Sequence, residues 1–324
     1  MRKKMVKSFE EISKILKEAL SMNAARTKAL AMMIFAMIKC ETVNLSKLSK
    51  HFKTNVKQES SYKRLQRFIK EVSFEAMRLV RLLLGFTDVG ADEKLKLILD
   101  RTNWKFGGNY INILCWSVVT PNGNFPLFFW SILEDKKQGN SDYIDRSDLI
   151  KKFIKCFGKD RIECVIGDSE FIGKDWIEWL KKEKIEYVIC LRNSQNIANS
   201  KGGTAKGSDL FRNLKPRTSI NLGERKINKD ESYSAYIIGI KTKDGDLIII
   251  ACSANIKNGS AIYKLRWGIE TLFKSLKTSG FCLEDTHIAD PYRVSITLSC
   301  CYHLWHCLKT WRQYIKYKIK KSWI

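Results

Sequence analysis

The sequence predicts an α/β fold: a mixed sheet with flanking helices, preceded by a helical domain. Residues 6–82 read as short helices in series. From Lys94 the texture changes to strand-like runs, beginning with "KLKLILD", which alternates and then turns apolar. "RIECVIGD", "DWIEWLKKEK" and "IEYVICLRN" then alternate strand, helix and strand, the pattern of parallel pairing.

In order, "SMNAARTKALAMMIFAMIKC" offers Ser21 or Asn23 as a helix cap before a run of helix formers. "NLSKLSKHF", "SSYKRLQRFIKEV" and "FEAMRLVRLLL" supply further short helices. The strand ending at Asp100 is followed by "RTNWKFGGNY", read as a turn, then by the strand "INILCWSVVT". "PNGN" is a turn signal, and "FPLFFWSIL" completes an antiparallel meander. "SDYIDRSDLIKKFIKCFG" is a helix, and the next strand ends in Asp168. Residues 194–258 change character again. "SKGGTAKGSD" is loop-like, while "SYSAYIIGI" and "DLIIIACSA" are strands joined by "KTKDGD".

The chain has 324 residues, 44% of them hydrophobic, enough for a sizeable core. Lys and Arg total 58 against 34 acids, a net charge of +24. Such an excess fits a polyanion partner, most simply nucleic acid, with Lys-favouring composition as the plainer account. Residues 1–90 carry 19 basic and 8 acidic groups, and after Cys307 six basic residues follow with no acid. Lys63, Arg64, Arg67 and Lys70 lie on one predicted helix and are candidates for phosphate contact, or else an ordinary solvated face. Ten cysteines without a CxxC pair fit a reduced, cytoplasmic setting. Cys300, Cys301 and Cys307 lie near His303 and His306, but their spacing matches no common zinc pattern. No secretory signal is expected, and "ALAMMIFAMIKC" is too short to span a bilayer.

"IYKLRWGIETLFKSLKTSGF", residues 262–281, reads as one helix. At about 100 degrees per residue, Tyr263, Arg266, Glu270 and Lys277 share one face within roughly 60 degrees. Leu265, Ile269, Leu272, Phe273 and Leu276 form the adjoining apolar stripe. An amphipathic surface helix with an i,i+4 ion pair is the plain reading. Two further acids give it another meaning. With the first strand beside the fourth, Asp100 and Asp168 meet at neighbouring strand ends, and Glu270 comes from a helix packed across them. Three converging carboxylates repel unless cations neutralise them, as in two-metal phosphoryl transfer. Hard oxygen ligands suit Mg²⁺ or Mn²⁺.

These residues resemble those of bacterial insertion-sequence transposases with a DDE catalytic triad. The match is to the group whose signature is Tyr, two residues, Arg, three residues, Glu, six residues, Lys. Tyr263, Arg266, Glu270 and Lys277 keep that spacing. "LILDRTNWKFG" resembles the segment bearing the first Asp, and "VIGDSEFIGKDWIEWL" the second. The resemblance covers roughly residues 94–290.

It implies a ribonuclease-H-like mixed sheet with flanking helices, interrupted by a mostly β insertion. The implied division is a helical DNA-binding domain at 1–90, a first catalytic part at 91–193 and the insertion at 194–258. The catalytic helix and remainder occupy 259–308, and a basic tail 309–324. Asp100, Asp168 and Glu270 would be catalytic and bind two Mg²⁺ ions, or Mn²⁺. Tyr263, Arg266 and Lys277 would hold phosphates, and Thr102 would orient a phosphate or a ligand carboxylate. Trp267 or Trp104 would stack on a base, unless they are core residues. Glu170 reads as structural. The expected activity is cleavage and strand transfer of an insertion sequence. The expected substrates are double-stranded DNA, namely the element's terminal inverted repeats and target DNA. A homodimer is expected when the ends are paired, in a nucleoid-associated bacterial protein. The rival readings are an endonuclease without strand transfer and an inactive DNA-binding protein.

Overall fold

The computed structural model describes residues 2–40, 42–52, 56–72, 76–84, 89–90, 92–106, 109–119, 127–133, 139–228 and 233–274. They fall into two compact units. One lies within Met1–Val89, Asn103–Asn112 and Thr271–Ile324, the other within Gly90–Thr102 and Ile113–Glu270.

The first unit contains α1 (Arg2–Leu20), α2 (Ala24–Cys40), α3 (Leu45–Ser49), α4 (Gln58–Glu71) and α5 (Ala76–Leu84). Asn23 starts α2, its side chain accepting from the Arg26 N–H at 2.8 Å. Asn44 does the same for α3 through Lys47 N–H at 3.1 Å. Leu16, Leu30, Met33, Ile34, Met37, Leu65 and Phe68 are buried, forming the apolar centre that short basic helices need. On α4, Ser61, Leu65, Phe68 and Ile69 face inward. Lys63, Arg64, Arg67 and Lys70 are all exposed on the other side.

Among the described residues, one mixed sheet of ten strands runs in the order β3-β2-β1-β4-β5-β10-β9-β8-β6-β7. Its first strands are β1 (Leu95–Phe106), β2 (Asn109–Val118) and β3 (Leu127–Ile132). Then come β4 (Ile162–Gly167) and β5 (Tyr187–Leu191), with β6 (Asn196–Ala198) and β7 (Thr204–Lys206). The last are β8 (Ser219–Ile227), β9 (Tyr233–Lys241) and β10 (Leu247–Cys252). β1, β4 and β5 are parallel neighbours. Their near-continuous apolar runs, such as Leu97–Leu99 and Cys164–Ile166, are buried, as central strands require. α6 (Tyr143–Phe157) and α7 (Lys174–Lys182) make the crossovers. α6 opens on a reciprocal capping box between Asp142 and Asp145.

Within residues 194–258, β10 pairs antiparallel with β5, Ile250 opposite Cys190. Three expectations change. β1 continues through "RTNWKF", which was read as a turn; Thr, Trp and Phe are strand formers. "SKGGTAKGSD" holds β7 and the short helix α8 (Gly207–Leu210). The helix expected over 262–281 is broken into α9 (Gly259–Lys264) and α10 (Trp267–Lys274). Leu265 and Arg266 form a turn between them, where backbone bonds from Arg266 to Tyr263 and Gly268 to Leu265 tighten to three-residue spacing. The "PNGN" turn lies outside the described residues, as do Lys277, the cysteine–histidine cluster and the basic tail.

Candidate active site

Strand register builds the site. Leu99 of β1 stands opposite Gly167 of β4. The next residue on each strand is an aspartate, so Asp100 and Asp168 emerge side by side. Asp100 stays within β1, and its Oδ1 accepts from the Arg101 N–H at 2.7 Å. The Cys115 thiol from β2 donates to the Asp100 carbonyl at 3.5 Å. Asp168 leaves the sheet as the cap of a 3₁₀ turn, Ser169–Phe171, its carboxylate accepting from Ser169 N–H.

Arg266 and Glu270 face these acids. Arg266 Nη1 lies 3.9 Å from both Asp100 Oδ2 and Asp168 Oδ2. Arg266 Nη2 lies 2.6 Å from Glu270 Oε1. One guanidinium thus sits among all three predicted acids. It is nearly buried, and its Nε has no hydrogen-bond partner. Burial pushes the Asp100 carboxyl up to about 7, against the pull of the Arg101 N–H and Arg266; Asp168 and Glu170 add to the rise.

Among the described residues, no three His, Cys, Asp or Glu side chains are grouped closely enough to hold a metal ion as they stand. Arg266 lies between the acids instead. The donor set fits a hard divalent cation by its chemistry: three carboxylates already gathered about one positive charge.

The other expected site residues fall into place unequally. Tyr263, on α9, is buried, and burial pushes its hydroxyl well above the ordinary value. It also lies under the Arg266 guanidinium, 5.7 Å from ring centre to carbon. Trp267 opens α10 and is 71% exposed, so it is not a core residue. Thr102 is buried on β1. Trp104 lies on the same strand, its side chain outside the described set. Lys63, Arg64, Arg67 and Lys70 belong to the helical unit.

Sequence reasoning missed a second layer. Glu170, read there as structural, receives Arg101 Nε at 3.1 Å and Nη2 at 3.2 Å on its two oxygens. Arg146 is buried on α6 and bonds Ser141 together with the Glu170 and Phe171 carbonyls. A signal for Arg146 existed: it continues the helical stripe Leu149, Ile150 and Phe153, an inward position where a charge is costly without partners. Among the described residues no helix is long and apolar enough to cross a membrane.

A family model described as "Transposase DDE domain" matches residues 93–304, nearly two thirds of the chain and all three acids. No curated protein matches. Among solved structures, the chain is similar to the endonuclease V of Bacillus subtilis, at 12% identity and a TM-score of 0.30. The likeness covers 80% of this chain and 95% of that one.

Proposed function

The chain belongs to the transposase DDE-domain family, and from that premise we propose that Asp100, Asp168 and Glu270 are its catalytic triad. As a family member it is a transposase, an enzyme that cuts and joins DNA with divalent metal ions. The observation that carries the residue assignment is the convergence of the three carboxylates on the one Arg266 guanidinium.

When bound, two Mg²⁺ or Mn²⁺ ions would supply Lewis-acid stabilisation of the phosphate and a lowered pKa for the attacking hydroxyl. The chain supplies the rest. The ladder between β1 and β4 places Asp100 and carries the chain to Gly167, just before the turn that bears Asp168. The α9–α10 turn brings Glu270 to them and carries Arg266 within reach of a phosphate oxygen. A guanidinium released from the acids is suited to bidentate phosphate binding. Exposed Trp267, one residue on, offers a flat face to an unstacked base. Tyr263 lies against the Arg266 guanidinium, and its hydroxyl would be the phosphate donor that the resemblance implies. Lys277 keeps its place in the proposal by spacing alone, as do Thr102 and Trp104 by their position on β1.

The proposed substrates are the terminal inverted repeats of the element and a target duplex. Residues 1–90 would bind DNA, with Lys63, Arg64, Arg67 and Lys70 on phosphates. Residues 91–193 and 259–308 would form the catalytic domain and 194–258 its insertion. The tail at 309–324 would add charge, and a homodimer would pair the ends. A nucleoid-associated location follows from these partners.

The test is incubation of the protein and Mg²⁺ with a labelled end duplex and a plasmid target, beside Asp100→Ala and Glu270→Ala. Cleavage with joined product, lost in both variants, is expected. Undiminished joining in either variant overturns the triad.

A further inference from the structure

The two aspartates differ in how they are held. Asp100 lies within β1, which continues to Phe106 beyond it. Asp168 lies one residue beyond the last paired position of β4, Gly167, where the sheet no longer dictates its place. Something else must set the gap between them, and a displacement of about 1 Å is enough to impair chemistry of this kind.

We propose that the Arg101–Glu170 ion pair, seated on Arg146, is a positioning clamp that fixes the separation of Asp100 and Asp168. The inference rests on the reading that these two acids hold the metal.

Arg101 directly follows Asp100, and Glu170 lies two residues beyond Asp168. Their side chains meet fork to fork, Nε on Oε1 at 3.1 Å and Nη2 on Oε2 at 3.2 Å. This two-point geometry fixes direction as well as distance. Both side chains are largely buried, 10% and 24% exposed, so solvent screens the pair weakly. Arg101 Nη2 also reaches Asn140 Oδ1 at 3.1 Å, in the segment leading into α6.

A second guanidinium holds the turn from the other side. Arg146, 6% exposed, donates Nε to Ser141 Oγ at 3.0 Å and Nη2 to the Ser141 carbonyl. Its Nη1 reaches the Phe171 carbonyl at 3.3 Å and its Nη2 the Glu170 carbonyl at 3.3 Å. It lies 5.2 Å over the Phe171 ring. The turn that begins at Asp168 is thus gripped through the Glu170 side chain and through two of its backbone carbonyls.

Charge and position make opposite predictions for one variant. Arg101→Gln removes a positive charge beside Asp100, so charge alone tightens binding of a divalent cation. Loss of the clamp weakens it, because the two carboxylates are no longer held at a fixed gap. Supporting groups of this kind typically change metal affinity 10- to 100-fold.

The experiment measures Mn²⁺ binding to the full chain without DNA, from the electron paramagnetic resonance signal of free Mn²⁺. Variants are Arg101→Gln, Arg101→Lys, Glu170→Gln, the Arg101→Gln/Glu170→Gln double, and Asp100→Asn. The expected result is at least fivefold weaker binding in each Arg101 variant, with the double no weaker than Glu170→Gln alone. Arg101→Lys keeps the charge and loses the fork, so it separates geometry from charge if Arg101→Gln folds poorly. Wild-type or tighter binding in the Arg101 variants, with binding lost in Asp100→Asn, overturns the clamp alone. Unchanged binding in Asp100→Asn overturns the metal-site assignment on which it rests.

Discussion

Arg266 Nη2 stands 2.6 Å from Glu270 Oε1, one helical turn along, while Nη1 of the same guanidinium spans the gap to Asp100 and Asp168 at 3.9 Å from each. The i,i+4 pair visible in the sequence is therefore part of a four-residue cluster. Its positive charge offsets acids that would otherwise repel across a partly buried site. The same position makes it a competitor of any divalent cation those acids bind.

Arg266→Ala removes both effects. In EDTA at neutral pH the variant is expected to lose about 1–3 kcal/mol of stability, less than for a fully buried pair because Glu270 and Asp168 are half-exposed. Added Mn²⁺ should then stabilise the variant more than it stabilises the wild type. Urea unfolding with and without Mn²⁺ checks both. An equal Mn²⁺ increment in the two proteins would show that Arg266 and the ion do not compete.

The raised Asp100 carboxyl gives a pH dependence of definite sign. Its ordinary value is 3.8 and its folded value about 7. Between these the folded chain holds a proton that the unfolded chain has released, so stability without metal falls as pH rises from about 4 to 7. Above 7 this contribution is flat. The full span is on the order of a few kcal/mol. Asp100→Asn should lose this slope, as read from urea midpoints at half-unit pH steps. A divalent ion must displace the same proton, so its affinity should rise up to roughly tenfold per unit below pH 7 and level off above.

Trp267 allows binding to be separated from folding. At 71% exposure it contributes little to the core. Trp267→Ala is expected to change the unfolding midpoint negligibly and to weaken binding of a duplex with unpaired end bases by about 1–3 kcal/mol. Fluorescence of the wild type should be quenched by that duplex. A variant that binds it as well as the wild type removes Trp267 from the interface.

Apolar runs were legible: Leu97–Leu99, Cys164–Ile166 and Tyr187–Ile189 announce central parallel strands, with Asp100 directly after the first run and Asp168 just past the end of β4. β8 was not, because "SINLGERKI" is mostly polar and exposed, without the alternation that marks a half-buried strand. The break between α9 and α10 was hidden because the apolar stripe continues through it; only the backbone turn at Leu265 and Arg266 reveals it. The candidate acids were singled out by the family resemblance, not by the intervals between them. Their supports were not legible, since Arg101 and Glu170 are 69 positions apart and meet only through the β1–β4 register.

The helical unit carries a prediction independent of the triad. Lys63, Arg64, Arg67 and Lys70 line the solvent side of α4, while Leu65, Phe68 and Ile69 anchor its other face. Their removal leaves the packing intact; the Lys63–Glu59 pair at 3.0 Å is exposed on both sides and adds little. Alanine at all four positions should therefore shift the unfolding midpoint slightly. If these groups lie on phosphates, each neutralised phosphate contributes about −0.9 to the slope of log affinity against log salt concentration. The quadruple variant should flatten that slope by up to about 3–4 units and bind all duplexes more weakly, whatever their sequence. Affinity for an end duplex and for an unrelated duplex, each measured from 50 to 300 mM KCl, gives the slopes directly. An unchanged slope would make this face a solvated one and move the DNA contact to another helix.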